Sequence, residues 1–347
     1  MGGAMGCMGG NAGCPARSLA AHAPRSAGER WRGFRVALGL CRGAADAGGL
    51  NGPSASDLSQ DRPRLSLCIT THARADALAA VLACVAAQTS APDEILVAED
   101  GEDPATAALL ASDKGPRPPL QHIRQPHLGF RVARLRNLAL AAARGDYLVF
   151  VDGDMLLHRG FIADHRRCAR RGHYTQGVRI NLDERTSRRL LDDPASAPQR
   201  FPGAASRGRF GIRRLALWHA PALQPLLRKA GTALLAVKSC NQGFWREDLH
   251  AVNGWDERFE GWGPEDKELC ARLEHHGVHR QALLAGGIAC HLHHPPASRA
   301  QRALNESLLA ETVAARAVRC VRGVADHRPG TVPAEGAAPS DQLHARI

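Results

Sequence analysis

Residues 145–160 read GDYLVFVDGDMLLHRG, and five apolar residues in this stretch, Tyr147 to Val151, run straight into Asp152 and Asp154. An apolar run of that length bounded by acids suits a strand covered on both faces, as in a parallel sheet flanked by helices. Ligands of such sheets collect just beyond the carboxyl ends of the strands, where the two aspartates fall. In an extended backbone, residues two apart point to the same side. Asp152 and Asp154 are therefore expected to share one partner, with Gly153 leaving room for its approach. Two carboxylates that close repel unless a cation lies between them, and hard oxygen ligands favour magnesium or manganese.

Two other readings stay open at this point. An Asp-Gly-Asp triplet after a strand is also ordinary turn chemistry. Phosphatases of the haloacid dehalogenase type place Asp-x-Asp after an apolar strand with the first carboxylate, here Asp152, as nucleophile. Those motifs continue into Gly-Thr, whereas Met155 and Leu156 follow here.

The 347 residues suffice for one large α/β domain or two modest ones. Ten cysteines without a CxxC pair, and no secretory signal, read as small apolar residues in a reduced, cytoplasmic protein. No stretch reaches the roughly twenty apolar residues of a membrane span. A net charge of +11 favours anionic partners such as nucleotides, phosphorylated sugars, nucleic acid or an acidic lipid surface. Few aromatics and no recognisable RNA or DNA module set nucleic acid aside.

Before the core, residues 1–62 are dominated by Gly, Ala, Ser and Arg and are expected to form a disordered leader. Within them residues 30–42, RWRGFRVALGLCR, have the composition of a short basic amphipathic helix. Order is expected from Arg64, with a strand over 65–69 tipped by Thr70, Thr71 and Arg74, a helix over 76–88, and a strand over 94–98 tipped by Glu99 and Asp100. Strand, helix, strand is the start of an open parallel sheet. A loop around the prolines precedes a short strand, LQHIRQ. A helix over 132–144 then presents Leu135, Leu138 and Ala142 on one face and leads to Gly145. Arg131, Arg134, Arg136 and Asn137 lie in its first turns, where the helix dipole favours an anion, although a solvated basic face reads equally well.

Past the aspartates, a helix over 161–171 and a strand through Val178 and Ile180 are expected, followed by an irregular Arg-rich insertion over about 181–214. Residues 239–277 then hold three of the five tryptophans. Trp245 and Trp255 read as packing, while Trp262 beside Glu265 and Asp266 suits a sugar ring, which stacks on an aromatic face and bonds to polar neighbours. Pro264 and the two acids open a helix with Leu269 and Leu273 inward, so they also serve as ordinary helix-start residues. His291, His293 and His294 follow a strand and are candidate metal ligands. A last helix is expected over 300–320, and a disordered tail over 321–347.

With these strand tips, DGD (152–154), GWGPED (261–266) and CHLHHP (290–295) in one order, the sequence resembles the family 2 glycosyltransferases of the GT-A fold, specifically those with a galactosyltransferase-like C-terminal region. The resemblance spans about residues 64–296. It implies an α/β fold with a mainly parallel central sheet flanked by helices: a Rossmann-like nucleotide-binding half over 63–238 and an acceptor half over 239–320. It implies an inverting hexosyltransferase that uses Mn2+ or Mg2+ and a nucleoside diphosphate sugar, most simply a UDP-sugar. DGD looks like the family's DxD and GWGPED like its WGxED. The resemblance gives Asp152, Asp154 and His291 as metal ligands and Asp266, with Glu265, as catalytic acids. Thr70, Arg74, Asp100, Arg136, Asn137 and Asp152 are implied donor contacts; Trp262 and Gly263 are implied acceptor contacts. Glu99-Asp100 departs from the pair of aspartates more usual in the family. The implied acceptor is a glycan or lipid-linked glycan of a bacterial surface polysaccharide or lipopolysaccharide, reached by a cytoplasmic protein in peripheral contact with the inner membrane surface. A phosphatase would explain DGD alone and leave the Trp-rich acidic segment without a role.

Overall fold

In the computed structural model, the described residues are 62–112, 118–199, 219–225, 237–296 and 298–327. The expected leader and its basic helix, residues 200–214 of the Arg-rich stretch, and the tail beyond His327 lie outside them. Strand β1 (Leu65–Thr71) alternates Leu65, Leu67 and Ile69 toward one core and Cys68 toward the other. Helix α1 (Ala75–Ala86) covers the first face with Leu78, Leu82 and Val85 buried, as the spacing predicts. β2 (Glu94–Asp100), α2 (Pro104–Ser112), β3 (Leu120–Gln125), α3 (Val132–Ala142) and β4 (Tyr147–Asp152) follow. β3, β2, β1 and β4 are parallel neighbours in that order. The chain therefore moves outward from β1 on one side and returns to its other side with β4. A crevice opens at such a reversal, just past the carboxyl ends of the strands. In it, Thr70 pairs in register with Asp152.

The sheet continues through β8 (Asn241–Trp245), antiparallel to β4, then β6 (His173–Gln176) and β9 (His279–Ala282). A small second sheet holds β5 (Met155–Leu157), β10 (Ile288–His291) and β7 (Val178–Asn181). Helices α4 (Phe161–Cys168), α5 (Glu184–Leu191), α6 (Arg246–Ala251), α7 (Glu265–His275) and α8 (Arg302–Ala314) complete the fold. Because β8 lies between β4 and β6, the expected boundary near 238 divides no sheet: one sheet draws strands from both of its sides. Among the described residues, no helix is long and apolar enough to cross a membrane.

Several expectations are corrected. The start of the Arg-rich stretch is not irregular. Asp183 accepts the Thr186 amide at 2.8 Å as N-cap of α5, and Leu190 reaches the core. The segment after β2 also holds a helix, α2, with Thr106 and Leu110 buried. Residues 321–327 are ordered, since the Val324 amide bonds to Asn253 and its side chain is buried. In α3 the buried stripe runs through Ala133, Arg136, Asn137 and Leu140, leaving Leu138 and Ala142 only partly covered.

Candidate active site

β4 delivers Asp152 to the crevice by alternation. Leu148 and Phe150 face the core beneath α3, and Asp152, next in that series, faces the same way. Thr70 Oγ1 donates to Asp152 Oδ1 at 3.3 Å, and Arg136 Nη2 lies 3.4 Å from the same oxygen. The other arm of Arg136 donates to Glu265 Oε1 at 3.0 Å. This guanidinium is 2% exposed and ties the end of β4 to the start of α7.

The strand stops at Asp152, so the expected sharing of one partner by Asp152 and Asp154 does not occur. Gly153 donates to the Thr70 carbonyl at 2.7 Å, and a Cβ there would lie 2.9 Å from Thr71 Cβ. The neighbour that requires glycine is therefore β1 rather than a ligand. Asp154 turns toward β10, where its Oδ2 is 3.5 Å from His291 Nε2 and 3.2 Å from His294 Nε2. One ligating atom from each of Asp154, His291 and His294 falls within 4.8 Å of the others, and Asp152 is outside this set. Asp154 Oδ1 is buried without a hydrogen-bond partner among the described residues. Burial, then the charge of Asp152, pushes the Asp154 carboxyl up to about 6. Burial, then Arg179 and His294, pushes His291 down to about 3, so its imidazole is neutral. His294 Nδ1 lies 2.7 Å from the Pro295 carbonyl oxygen. A carbonyl only accepts, so Nδ1 carries the proton and Nε2 keeps the lone pair.

These residues fit a divalent cation. The set offers two neutral imidazole nitrogens and a carboxylate with an unsatisfied buried oxygen, and a second-shell carbonyl fixes one tautomer. His294 completes the group, a role the sequence left undivided among three histidines; its signal was the i, i+3 spacing from His291. Arg179 on β7 was missed. Its guanidinium hydrogen-bonds the Cys240 thiol at 3.9 Å and brings positive charge to the His291 corner.

Facing this corner, Asp266 lies in the first turn of α7. Its Oδ2 accepts the Ser239 amide at 3.0 Å and its Oδ1 the Lys267 amide at 2.7 Å. Burial raises its pKa above the ordinary carboxylate value. Burial also outweighs the attraction of Arg136 and pushes Glu265 up to about 7. Trp262 is 38% exposed, with the Arg299 guanidinium 5.0 Å from its ring centre, whereas Trp245 and Trp255 are buried. Gly261 donates to the Phe130 carbonyl at 2.8 Å, and a Cβ on Gly263 would meet Asn305 Cβ at 2.7 Å. The glycines thus fit the loop against α8; Gly263 presses on protein rather than facing an acceptor.

On the donor side, three of the expected contacts have other duties. Asn137 is fully buried, and its amide bonds to Trp255 and Glu257, because α3 turns it inward. Arg136 is engaged by carboxylates on both arms. Arg74 pairs with Asp76 at 2.9 Å, although its charge reaches Asp154. Asp100 closes β2, 6% exposed, with its Oδ1 bonded to Gln125 at 2.9 Å. Glu99 points away to His122 at 2.8 Å.

Comparison with known proteins agrees with this architecture. The family model described as "Glycosyl transferase family 2" matches residues 66–219, and that described as "N-terminal domain of galactosyltransferase" matches residues 236–295. A validoxylamine A glucosyltransferase of Streptomyces hygroscopicus subsp. limoneus is 30% identical over 226 residues, 62% of this chain and 49% of that protein. A chondroitin synthase of Pasteurella multocida is 26% identical over 245 residues, 67% of this chain and 25% of that protein. The chain therefore spans half or less of the length of these relatives. Residues 1–349 of S. aureus TarS, solved in complex with UDP, superpose with a TM-score of 0.51 at 13% identity, covering 76% of this chain and 68% of that one; this similarity concerns the fold.

Proposed function

The chain belongs to the family 2 glycosyltransferases of the GT-A fold, with a galactosyltransferase-like C-terminal segment, and on that premise we propose that it moves a sugar from a nucleoside diphosphate sugar to a glycan hydroxyl with inversion. The observation that carries this reading is the Asp154–His291–His294 set, with its unpartnered buried carboxylate oxygen, facing a first-turn Asp266 across the crevice at the β1/β4 reversal. Relatives named as a glucosyltransferase and a chondroitin synthase support the reaction class.

In this reading Asp154, His291 and His294 hold Mn2+ or Mg2+, which when bound neutralises the departing diphosphate. Asp152 stays with Arg136 and Thr70 and lends negative charge beside the metal ligands. Arg179 adds positive charge on the diphosphate side. Asp266 is aimed by the Ser239 and Lys267 amides, which occupy part of its acceptor capacity and leave lone pairs for a hydroxyl. It takes the acceptor proton as the hydroxyl oxygen bonds to the anomeric carbon and the bond to the diphosphate breaks. Its raised pKa makes it a better base than an exposed aspartate. Glu265 stays fixed on Arg136 and keeps the first turn of α7 in place. Trp262 supplies an aromatic face for the acceptor ring. Thr70, Arg74 and Asp100 line the donor side, most simply for a UDP-sugar. The acceptor is a glycan or lipid-linked glycan of a bacterial surface polysaccharide, met by a cytoplasmic protein at the inner membrane face.

The test is release of nucleoside diphosphate from a panel of sugar nucleotides with manganese, magnesium or chelator. One donor should turn over only with metal. Both Asp154→Ala and Asp266→Asn should lose about 1,000-fold or more, as expected when a group acting in the transition state is removed. Absence of turnover or binding with every sugar nucleotide, together with hydrolysis of a simple phosphate ester that Asp152→Ala abolishes, would replace this reading with the phosphatase one.

A further inference from the structure

The carboxyl ends of β1, β2 and β3 gather a second group of ligating side chains that the transfer reaction does not use together. His72 follows β1, Asp100 closes β2, and His127 lies just beyond β3; one ligating atom from each is within 4.8 Å of the others. The Asp100 carboxylate is buried and oriented: Gln125 Nε2 donates to Oδ1 at 2.9 Å, and Oδ2 faces His127 Nδ1 at 3.1 Å. His72 Nδ1 lies 2.5 Å from the Asp100 carbonyl oxygen. That oxygen only accepts, so Nδ1 carries the proton and the lone pair stays on Nε2. A ligating imidazole is commonly held in this way, by a carbonyl that fixes its tautomer and strengthens the free nitrogen as a donor. His294 at the catalytic corner has the same construction. The rings of His72 and His127 stack with centres 4.3 Å apart at 18°, and both residues are exposed, so an ion can enter from solvent.

The geometry points to a second metal site, formed by His72, Asp100 and His127, that takes a borderline-soft divalent ion of the zinc class. Two imidazoles and one carboxylate suit Zn2+ far better than Mg2+, which seeks an octahedral shell of oxygens. Three protein ligands leave the fourth position to water. The site is separate from the Asp154 set, which lies past β4 and on β10. Asp100 is also the donor contact of the proposed transfer reaction, so an ion here competes with the sugar nucleotide; this consequence rests on that reading, whereas the site itself does not.

The experiment titrates Zn2+ into the chelator-treated full chain against a chromophoric competitor, with Co2+ absorption reporting the ligand set. Wild type should take two tight equivalents. His72→Ala, His127→Ala and Asp154→Ala should each take one, and Asp154→Ala/His127→Ala none. His279→Ala, an exposed imidazole near His173, should keep two. His127 is about half exposed, so its removal should leave the melting temperature unchanged. An unchanged count in both His72→Ala and His127→Ala, or an ion retained by the double variant, overturns the site. In the second arm Zn2+ should raise the donor KM of wild type and not of His127→Ala. One equivalent lost on mutation without that KM effect upholds the site and removes Asp100 from the donor contacts.

Discussion

Helices α3 and α7 each carry two kinds of buried polar residue, and the two kinds differ in how fully they are satisfied. Deeper along the helices, Arg272 is fully buried and bonds to both oxygens of Glu268 at 2.7 Å and to the carbonyls of Val252 and Gly254, while Thr312 donates to Glu268. Asn137 likewise closes on Trp255 and Glu257, which also meets His327 at 2.6 Å. Toward the crevice, Asp154 leaves an oxygen without a partner, Arg179 finds only a thiol, and Asp154, Glu265 and Asp266 all have raised pKa values. A saturated network specifies one packing. A strained, under-satisfied cluster stays ready for a charge that the protein does not itself supply.

Breaking the saturated side should give the largest effect. Arg272→Ala leaves Glu268 buried with an unpaired charge, at a cost of about 3–5 kcal/mol in denaturant unfolding. Replacing both members, Arg272→Met with Glu268→Leu, should recover most of the loss, because the desolvated charge disappears with its partner. A cost below about 1 kcal/mol for Arg272→Ala would mean that the network is wet, and the contrast would fail.

The unsatisfied side should respond in the opposite sense. The Asp154 carboxyl is held up at about 6, against an ordinary value near 4. The folded chain therefore keeps a proton that the unfolded chain releases. Stability from this group is fully present below about pH 4 and is lost as pH rises through 6. With chelator present, Asp154→Asn should be more stable than wild type by on the order of 2 kcal/mol at pH 7.5, and equal to it below about pH 4. Saturating Mn2+ should reverse the order by stabilising wild type alone, by about 2.7 kcal/mol at a hundredfold excess over Kd. Thermal melts at the two pH values decide it; a destabilised Asp154→Asn at pH 7.5 in chelator would place Asp154 with the structural residues.

The sequence resolves these two populations unevenly. The parallel strands were legible because burial on both faces writes them as apolar runs, and Asp152, Asp154 and Glu265-Asp266 were legible because acids at strand ends and helix starts interrupt that pattern. β8 was not, since its buried Asn241 and Gln242 are satisfied only by distant chain: Asn241 by Val178, Gly287 and His165, and Gln242 by Gln176. The same cause hid the duties of Arg136 and Asn137. Their types suggest an anion site at a helix start, but the turn of α3 about its axis buries them, and Leu138 gives up the core position that periodicity assigns it. The division between Asp152 and Asp154 depends on β4 ending one residue before Gly153, a boundary that β1 sets through its close approach to that glycine.

The tryptophans sharpen the contrast at its smallest scale. Trp255 is fully buried against Phe150 at 4.6 Å between ring centres, whereas Trp262 stands on a loop that Gly261 and Asn305 hold independently of its indole. Removing the Trp262 ring should therefore leave unfolding within about 0.5 kcal/mol of wild type, as for a surface change. An indole face stacked on a sugar is worth on the order of 1 kcal/mol beyond area. Trp262→Ala should thus raise the acceptor KM about tenfold and leave the donor KM unchanged, with Trp262→Phe in between. A change confined to the donor KM would move this loop from the acceptor side to the nucleotide side. A loss of several kcal/mol in stability with both KM values intact would return Trp262 to the packing role that Trp255 fills.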